Sequence, residues 1–206
     1  MGSIPIDRPY YFNMVHKKTT AELVQERPQA EELNRLPRLP LNVVVDNVRS
    51  LDNVGLIFRL CELARINKLY LTGYTGHPRL PYGDEREEGL IARHESRIFK
   101  TAVYAVPFQP WEYVLDPVPL VQGLKKQGHT IVALEQTNQS ISYCEALYQL
   151  PLTLIVGHER LGVRQDLLSL ADLHIEIPIL GLGNSHNVAT ATAITLYHIL
   201  EKTHQI

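Results

Sequence analysis

Cysteine is almost missing from this 206-residue chain, in which Cys61 and Cys144 are the only two. No CxxC pair exists, which argues against a zinc ribbon or a thioredoxin-like redox site. Both thiols are expected to be reduced, in or near the core, each on a helix. No apolar run reaches the roughly 18 residues that a membrane helix needs. The opening residues MGSIPIDRPYYF lack the basic-then-apolar order of a secretory leader. The expectation is a cytoplasmic protein with no membrane segment. Charge of one sign is also missing. Twenty Lys+Arg against 22 Asp+Glu leave a net charge of -2, so the broad basic face of many nucleic-acid binders is absent. A local basic patch, or two patches merged by dimerisation, is compatible with that total. GxGxxG and GKT phosphate loops, HExxH and hydrolytic carboxylate pairs are absent as well, so no metal site is expected.

What remains is a globular composition, 45% apolar and 20% charged, with enough apolar material for one full core. Buried-type strands are expected at Leu41–Val45, Lys68–Leu71, Thr130–Leu134, Leu152–Val156 and His174–Ile177, with a short one at Thr101–Val106. Helices are expected from Gly55 to Ile66, within Glu85–Lys100, and at Val118–Gln127, Ile141–Gln149, Gln165–Leu170 and Val188–Glu201. Pro107–Trp111 reads as a loop leading into a helix. Alternation of this kind predicts a largely parallel sheet covered on both faces. Residues 1–40 read as an N-terminal arm or short helical extension, with a helix from Thr19 or Thr20 to Asn34 interrupted at Pro28. Residues 41–206 read as the main domain.

Three polar knots stand where strands hand over to helices, the usual place for ligands in open α/β sheets. The first runs from Asn47 to Gly55 and is followed by Arg59. Asn53 can cap the next helix, and Gly55 can admit a ligand or a tight turn. Arg59 can reach a phosphate near that helix start, or can be solvated on a capped helix. The second, Gly157-His158-Glu159-Arg160-Leu161-Gly162, closes a charged turn between glycines. The third is the most informative: Ile177-Pro178-Ile179-Leu180-Gly181-Leu182-Gly183 leads into Asn184-Ser185-His186-Asn187 and then a helix of small and apolar residues. Ser185 and Asn187 can bind a ligand, satisfy the first N–H groups of that helix, or do both.

In this order and spacing the segments resemble the SpoU (TrmH) family of RNA ribose 2'-O-methyltransferases, of the SPOUT class. Asn53, Gly55 and Arg59 match its first motif; Gly157, Glu159 and Gly162 its second; Ile177-Pro178, Gly181 and Ser185-x-Asn187-Val188 its third. The resemblance spans residues 41–201. It implies an α/β fold with a Rossmann-like, mainly parallel sheet and a C-terminal trefoil knot, a homodimer, and S-adenosylmethionine bound at the knot. It implies methyl transfer to a ribose 2'-hydroxyl in tRNA or rRNA, with tRNA slightly favoured. An RNA-binding or assembly factor that kept the fold without turnover is the alternative.

By the same resemblance the catalytic residues are Arg59, Asn53, Glu159, Ser185 and Asn187. Cofactor contacts are implied at Leu134, Glu135, Gly157, Ile177, Ile179, Gly181, His186 and Asn187. RNA contacts are implied at Asn53, Arg59, Arg49 and Arg160. Two departures stand out: His158 where many relatives have Asn, and His186 where many have Leu. In the arm, Arg8, Lys17, Lys18, Arg27, Arg35 and Arg38 are candidates for phosphate contacts.

Overall fold

The computed structural model describes residues 15–26 and 30–206. Tyr10, Tyr11, Phe12, Arg8, Arg27 and Pro28 lie outside them. The chain divides into two compact units, up to Pro37 and from Arg38 onward.

The first unit holds α1 (Thr20–Gln25) and α2 (Ala30–Arg35). Thr19 starts α1 with a capping box: its hydroxyl receives the Glu22 N–H, and Glu22 reaches back to the Thr19 N–H. Lys18 is engaged by Glu26 at 2.6 Å.

The second unit runs β1 (Leu39–Asp46), α3 (Leu51–Leu63), β2 (Ile66–Thr72), α4 (Glu88–Ala102), β3 (Trp111–Val114), α5 (Pro117–Lys126), β4 (Thr130–Leu134), β5 (Ile141–Ser142), β6 (Leu152–Val156), α6 (Gln165–Leu168), β7 (Leu173–Glu176) and α7 (Val188–Lys202). These strands form one sheet in the order β3-β2-β1-β6-β4-β7-β5. Every pairing in it is parallel. A parallel sheet needs cover on both faces, which explains the unbroken apolar runs of the inner strands. In β1, Val43 and Val45 belong to a core shared with α3, α4 and α7, while Val44 points to a second core shared with α5 and α6.

Several boundaries differ from the sequence reading. The α3 helix begins at Leu51, because the Ser50 hydroxyl takes the cap by accepting the Asn53 N–H. Asn53 is therefore inside the first turn and is not the cap. Gly55 is in the helix interior. A Cβ there would stand 2.0 Å from Thr101 Oγ1 and 2.3 Å from the Ile98 carbonyl oxygen, so this glycine lets α3 and α4 touch and does not admit a ligand. Residues 101 and 102 finish α4 in place of the expected strand, and Trp111–Val114 is the edge strand β3. Residues 141–149 form β5 and a turn in place of a helix. The Tyr143 N–H continues the pairing with β7 by bonding the Glu176 carbonyl. Cys144 is consequently exposed, while Cys61 is buried in α3, where burial pushes its thiol pKa far up. Arg38 is committed to the carbonyls of Ile66 (3.3 Å) and Phe108 (2.5 Å).

Candidate active site

Parallel strands end together, so the loops after β1, β2, β6, β4 and β7 share one edge of the sheet. At this edge a cavity of about 300 Å³ opens between the exits of β4, β6 and β7, the size of a small-molecule site. Leu134, Glu135 and Gln136 form one wall as the chain leaves β4. Val156 to Gly162 form the second wall as it leaves β6. Glu176 and Ile177 at the end of β7, then Asn184 to His186, form the third, with Val188 and Ala191 of α7 behind them. Gly157, Glu159, Arg160, Ile177, Ser185, His186, Leu134 and Glu135 thus lie together. Ile179 and Gly181 sit in the segment between β7 and α7 without lining the cavity. Asn53, Asn187, Arg49 and Arg59 also lie off its walls.

A chain of hydrogen bonds nevertheless ties Asn53 and Asn187 to that wall. Glu159 accepts the Ser50 N–H at 3.0 Å, the Arg49 N–H at 3.1 Å and the Asn53 amide at 3.1 Å. Asn53 in turn accepts from the Asn187 amide at 3.0 Å. Asn187 uses its carbonyl to cap α7, receiving the N–H groups of Ala189 and Thr190 at 2.9 and 3.2 Å. Burial alone would raise the Glu159 pKa. The Ser50 and Arg49 N–H groups and the Asn53 amide outweigh it, so the net pKa lies below the ordinary value. The three polar knots are one construction.

His158 resolves one departure. Its Nδ1 accepts the backbone N–H groups of Arg160 (2.9 Å) and Leu161 (3.1 Å). An asparagine side-chain oxygen makes the same kind of turn, so the imidazole does the work of the amide. Gly157 needs its small size, because a Cβ would stand 2.4 Å from the Gly162 backbone. Glu135, expected at the cofactor, spends its oxygens on the protein, receiving the Gln136 N–H at 2.8 Å and the Val163 N–H at 2.8 Å. It therefore holds the β6 exit loop against the β4 exit.

Gln136 and Glu176 escaped the sequence reading. Gln136 donates to the Asn184 carbonyl at 2.8 Å and pins the segment after β7. Glu176 receives the Ser140 hydroxyl at 2.5 Å and presents a carboxylate to the cavity. The signal available was their place directly at strand ends.

Arg59 is exposed on α3, eight residues beyond Leu51 and so about 12 Å along the axis. Among the described residues its guanidinium has no hydrogen-bond or ion-pair partner. It lies about two turns into the helix, one turn further from the start than the expected helix from Gly55 would put it.

Comparison with known proteins decides the relationship. The family described as SpoU rRNA Methylase matches residues 86–197. The chain belongs to that family. A tRNA (guanosine(18)-2'-O)-methyltransferase of Aquifex aeolicus is 31% identical over 157 residues, covering 76% of this chain and 67% of that protein. A Thermus thermophilus protein of the same name is 28% identical over 174 residues, covering 83% and 79%. Among solved structures, the A. aeolicus TrmH/SpoU tRNA modifying enzyme superposes with a TM-score of 0.65 at 28% identity, covering 85% of this chain and 84% of that one. The Streptomyces viridochromogenes SpoU methyltransferase AviRb, solved with AdoMet, shares the fold at a TM-score of 0.66 and 20% identity, covering 85% and 63%. With the SpoU family comes its fold: the parallel α/β sheet with the C-terminal trefoil knot expected from the motifs. Among the described residues no helix is long and apolar enough to cross a membrane, and no cluster of three or more His, Cys, Asp or Glu is placed to hold a metal.

Proposed function

We propose that this protein transfers a methyl group from S-adenosylmethionine to a ribose 2'-hydroxyl of RNA, with tRNA as the substrate class. The observation that carries this reading is the cavity at the strand ends, walled by two of the family motifs and braced to the first by the Glu159–Asn53–Asn187 chain. The cavity suits a cationic small molecule, since Glu135, Glu159 and Glu176 lie on its walls against Arg160. When bound there, the cofactor supplies an electrophilic methyl group on a sulfonium. Leu134, Gly157, Ile177 and His186 would hold it, and Ser185 stands at the cavity wall to orient the incoming hydroxyl. The tRNA assignment rests on the relatives in A. aeolicus and T. thermophilus, both named for tRNA.

We also infer a homodimer. Leu56 and Leu63 on α3 are 40% and 47% exposed, with Arg59 between them on the same face, and Tyr197 of α7 is 41% exposed. A second copy of the chain would cover this apolar stripe. It would also carry Arg59 toward a substrate that its own cavity does not let it reach. The segment up to Pro37 is proposed as an arm that adds phosphate contacts through Lys17 and Arg35.

The test is methyl transfer from labelled S-adenosylmethionine to unmodified tRNA, with the product digested to alkali-resistant dinucleotides. Label there supports ribose methylation. Cofactor binding without label in any RNA leaves the non-catalytic RNA-binding factor as the reading. Mixing the inactive variants Arg59→Ala and Asn187→Ala and regaining activity would place Arg59 across the dimer.

A further inference from the structure

Tyr74 follows β2 on the same edge as the cavity and is 60% exposed. An exposed aromatic on a long loop is ordinarily loose. This one is mounted rigidly. Its N–H donates to Asn47 Oδ1 at 3.0 Å. The preceding Gly73 has a positive φ of 63° and packs so closely on Asn47 that a Cβ would stand 2.1 Å from Oδ1. The Gly73 carbonyl receives the Tyr113 hydroxyl at 2.7 Å. The following Thr75 bonds the Val45 carbonyl and the Val48 N–H, both at 3.0 Å. From this mount the ring meets His158 edge-on, with centroids 6.2 Å apart. His158 is the residue whose Nδ1 fixes the turn at Arg160 and Leu161.

Two arginines belong to the loops that Tyr74 touches through Asn47 and His158. Arg49 follows Val48 in the loop that Thr75 grips, and Arg160 follows from His158. Both are exposed, and among the described residues neither guanidinium has an intramolecular partner. Beside them Leu161, at the cavity wall, is 80% exposed. An exposed ring fixed to two loops that each carry an unengaged guanidinium group suits unstacked nucleotides. The ring stacks on a base, and the arginines take phosphates.

We propose that Tyr74 is a base-stacking residue of the substrate site. It receives a nucleobase of single-stranded or splayed RNA next to the target ribose, while Arg49 and Arg160 hold the adjoining phosphates. This rests on the RNA reading above. It adds a residue outside all three motifs and gives the β2 exit loop a part in substrate choice. A splayed base is required, because a ring lying beside the active loop cannot enter a closed duplex.

Two measurements test it: binding of a fluorescently labelled, mixed-sequence single-stranded RNA oligonucleotide, and the KM for unmodified tRNA, each with Tyr74→Ala, Tyr74→Phe and Tyr74→Trp. Tyr74→Ala should weaken oligonucleotide binding and raise the KM by roughly tenfold, as loss of one base stack does. The affinity for S-adenosylmethionine should stay unchanged. Tyr74→Phe and Tyr74→Trp should restore both values, since stacking needs a ring and not a hydroxyl. Unchanged binding in Tyr74→Ala overturns the proposal, whether or not the wild type transfers methyl groups. A Tyr74→Phe variant as poor as Tyr74→Ala overturns it in favour of a hydroxyl contact. Loss of cofactor binding in Tyr74→Ala overturns it in favour of a structural role. A wild type that binds the oligonucleotide through Tyr74 yet methylates no RNA would keep the stack and remove the enzymatic reading.

Discussion

Asn187 donates from Nδ2 to Oδ1 of Asn53 at 3.0 Å, and through that bond the start of α7 is tied to the start of α3. The same Asn187 caps α7, and the same Asn53 holds Glu159. Replacing Asn187 by Ala removes the cap and the tie together. A cap alone contributes about 1 kcal/mol, and a lost bond to a part-buried amide costs about as much again. Urea unfolding should therefore show Asn187→Ala less stable by roughly 2 kcal/mol. Its methyl transfer should fall further than the small loss of folded protein explains. Equal activity per folded molecule would remove Asn187 from the site.

The Glu159 carboxylate gives the site a pH dependence. A carboxyl whose folded pKa lies below its unfolded value adds stability above the unfolded pKa, and that stability is lost as pH falls through the folded pKa. Glu159 is of this kind, held below the ordinary 4.5 by the backbone of Ser50 and Arg49. Glu159→Gln should be less stable than wild type at neutral pH. The gap should narrow as pH drops below about 4.5. Urea midpoints for both proteins across that range check it, and a gap independent of pH would contradict it.

His158 accepts two N–H groups at Nδ1, which an asparagine can also do. His158→Asn should keep cofactor affinity within about threefold, a change of under 1 kcal/mol. His158→Ala leaves both N–H groups without that acceptor and should weaken the cofactor by roughly tenfold. Calorimetric titration with S-adenosylmethionine separates the two.

Gly55 tests the packing beneath the site. An added methyl would meet a backbone carbonyl and a threonine hydroxyl well inside contact distance. Gly55→Ala should lower stability by roughly 1–3 kcal/mol, the usual cost of overpacking, despite alanine's better helix propensity. A thermal melt at or above that of wild type would show that α3 and α4 can move apart freely.

Arg59 supplies the opposite control. It is exposed and its guanidinium makes no bond among the described residues. Arg59→Ala should melt within about 0.5 kcal/mol of wild type, as surface changes usually do, yet lose most methyl transfer. Retained turnover would remove it from the chemistry.

The inner strands were legible because a doubly covered parallel strand is written as a continuous apolar run. β4 and β6 occupy the expected residues, and β1 contains them. The start of α3 was not, because Ser50, Asp52 and Asn53 are all capping types and only the fold selects Ser50. β5 was misread as a helix because its pairing partner, β7, lies far along the chain. The glycine-bounded polar knots of the site stood out locally. Tyr74 did not, since nothing near it in sequence says that the β2 exit will lie beside His158. Arg59 shows a further limit: the expected helix from Gly55 put it one turn in, and a start four residues earlier, at Leu51, puts it about two turns in.

The bonds that join the site span great lengths of chain. Asn53 reaches Glu159 across 106 residues and Asn187 across 134. Closing such loops is entropically slow, so contacts of this kind form late in folding. During synthesis the strands can pair and the α3–α4 contact can close while α7 is still to be made. Until α7 arrives, Asn53 has no partner on its far side, and the wall formed by Val188 and Ala191 does not exist. A growing chain thus acquires this pocket only once α7 has been made, and transfer activity reports that α7 has docked.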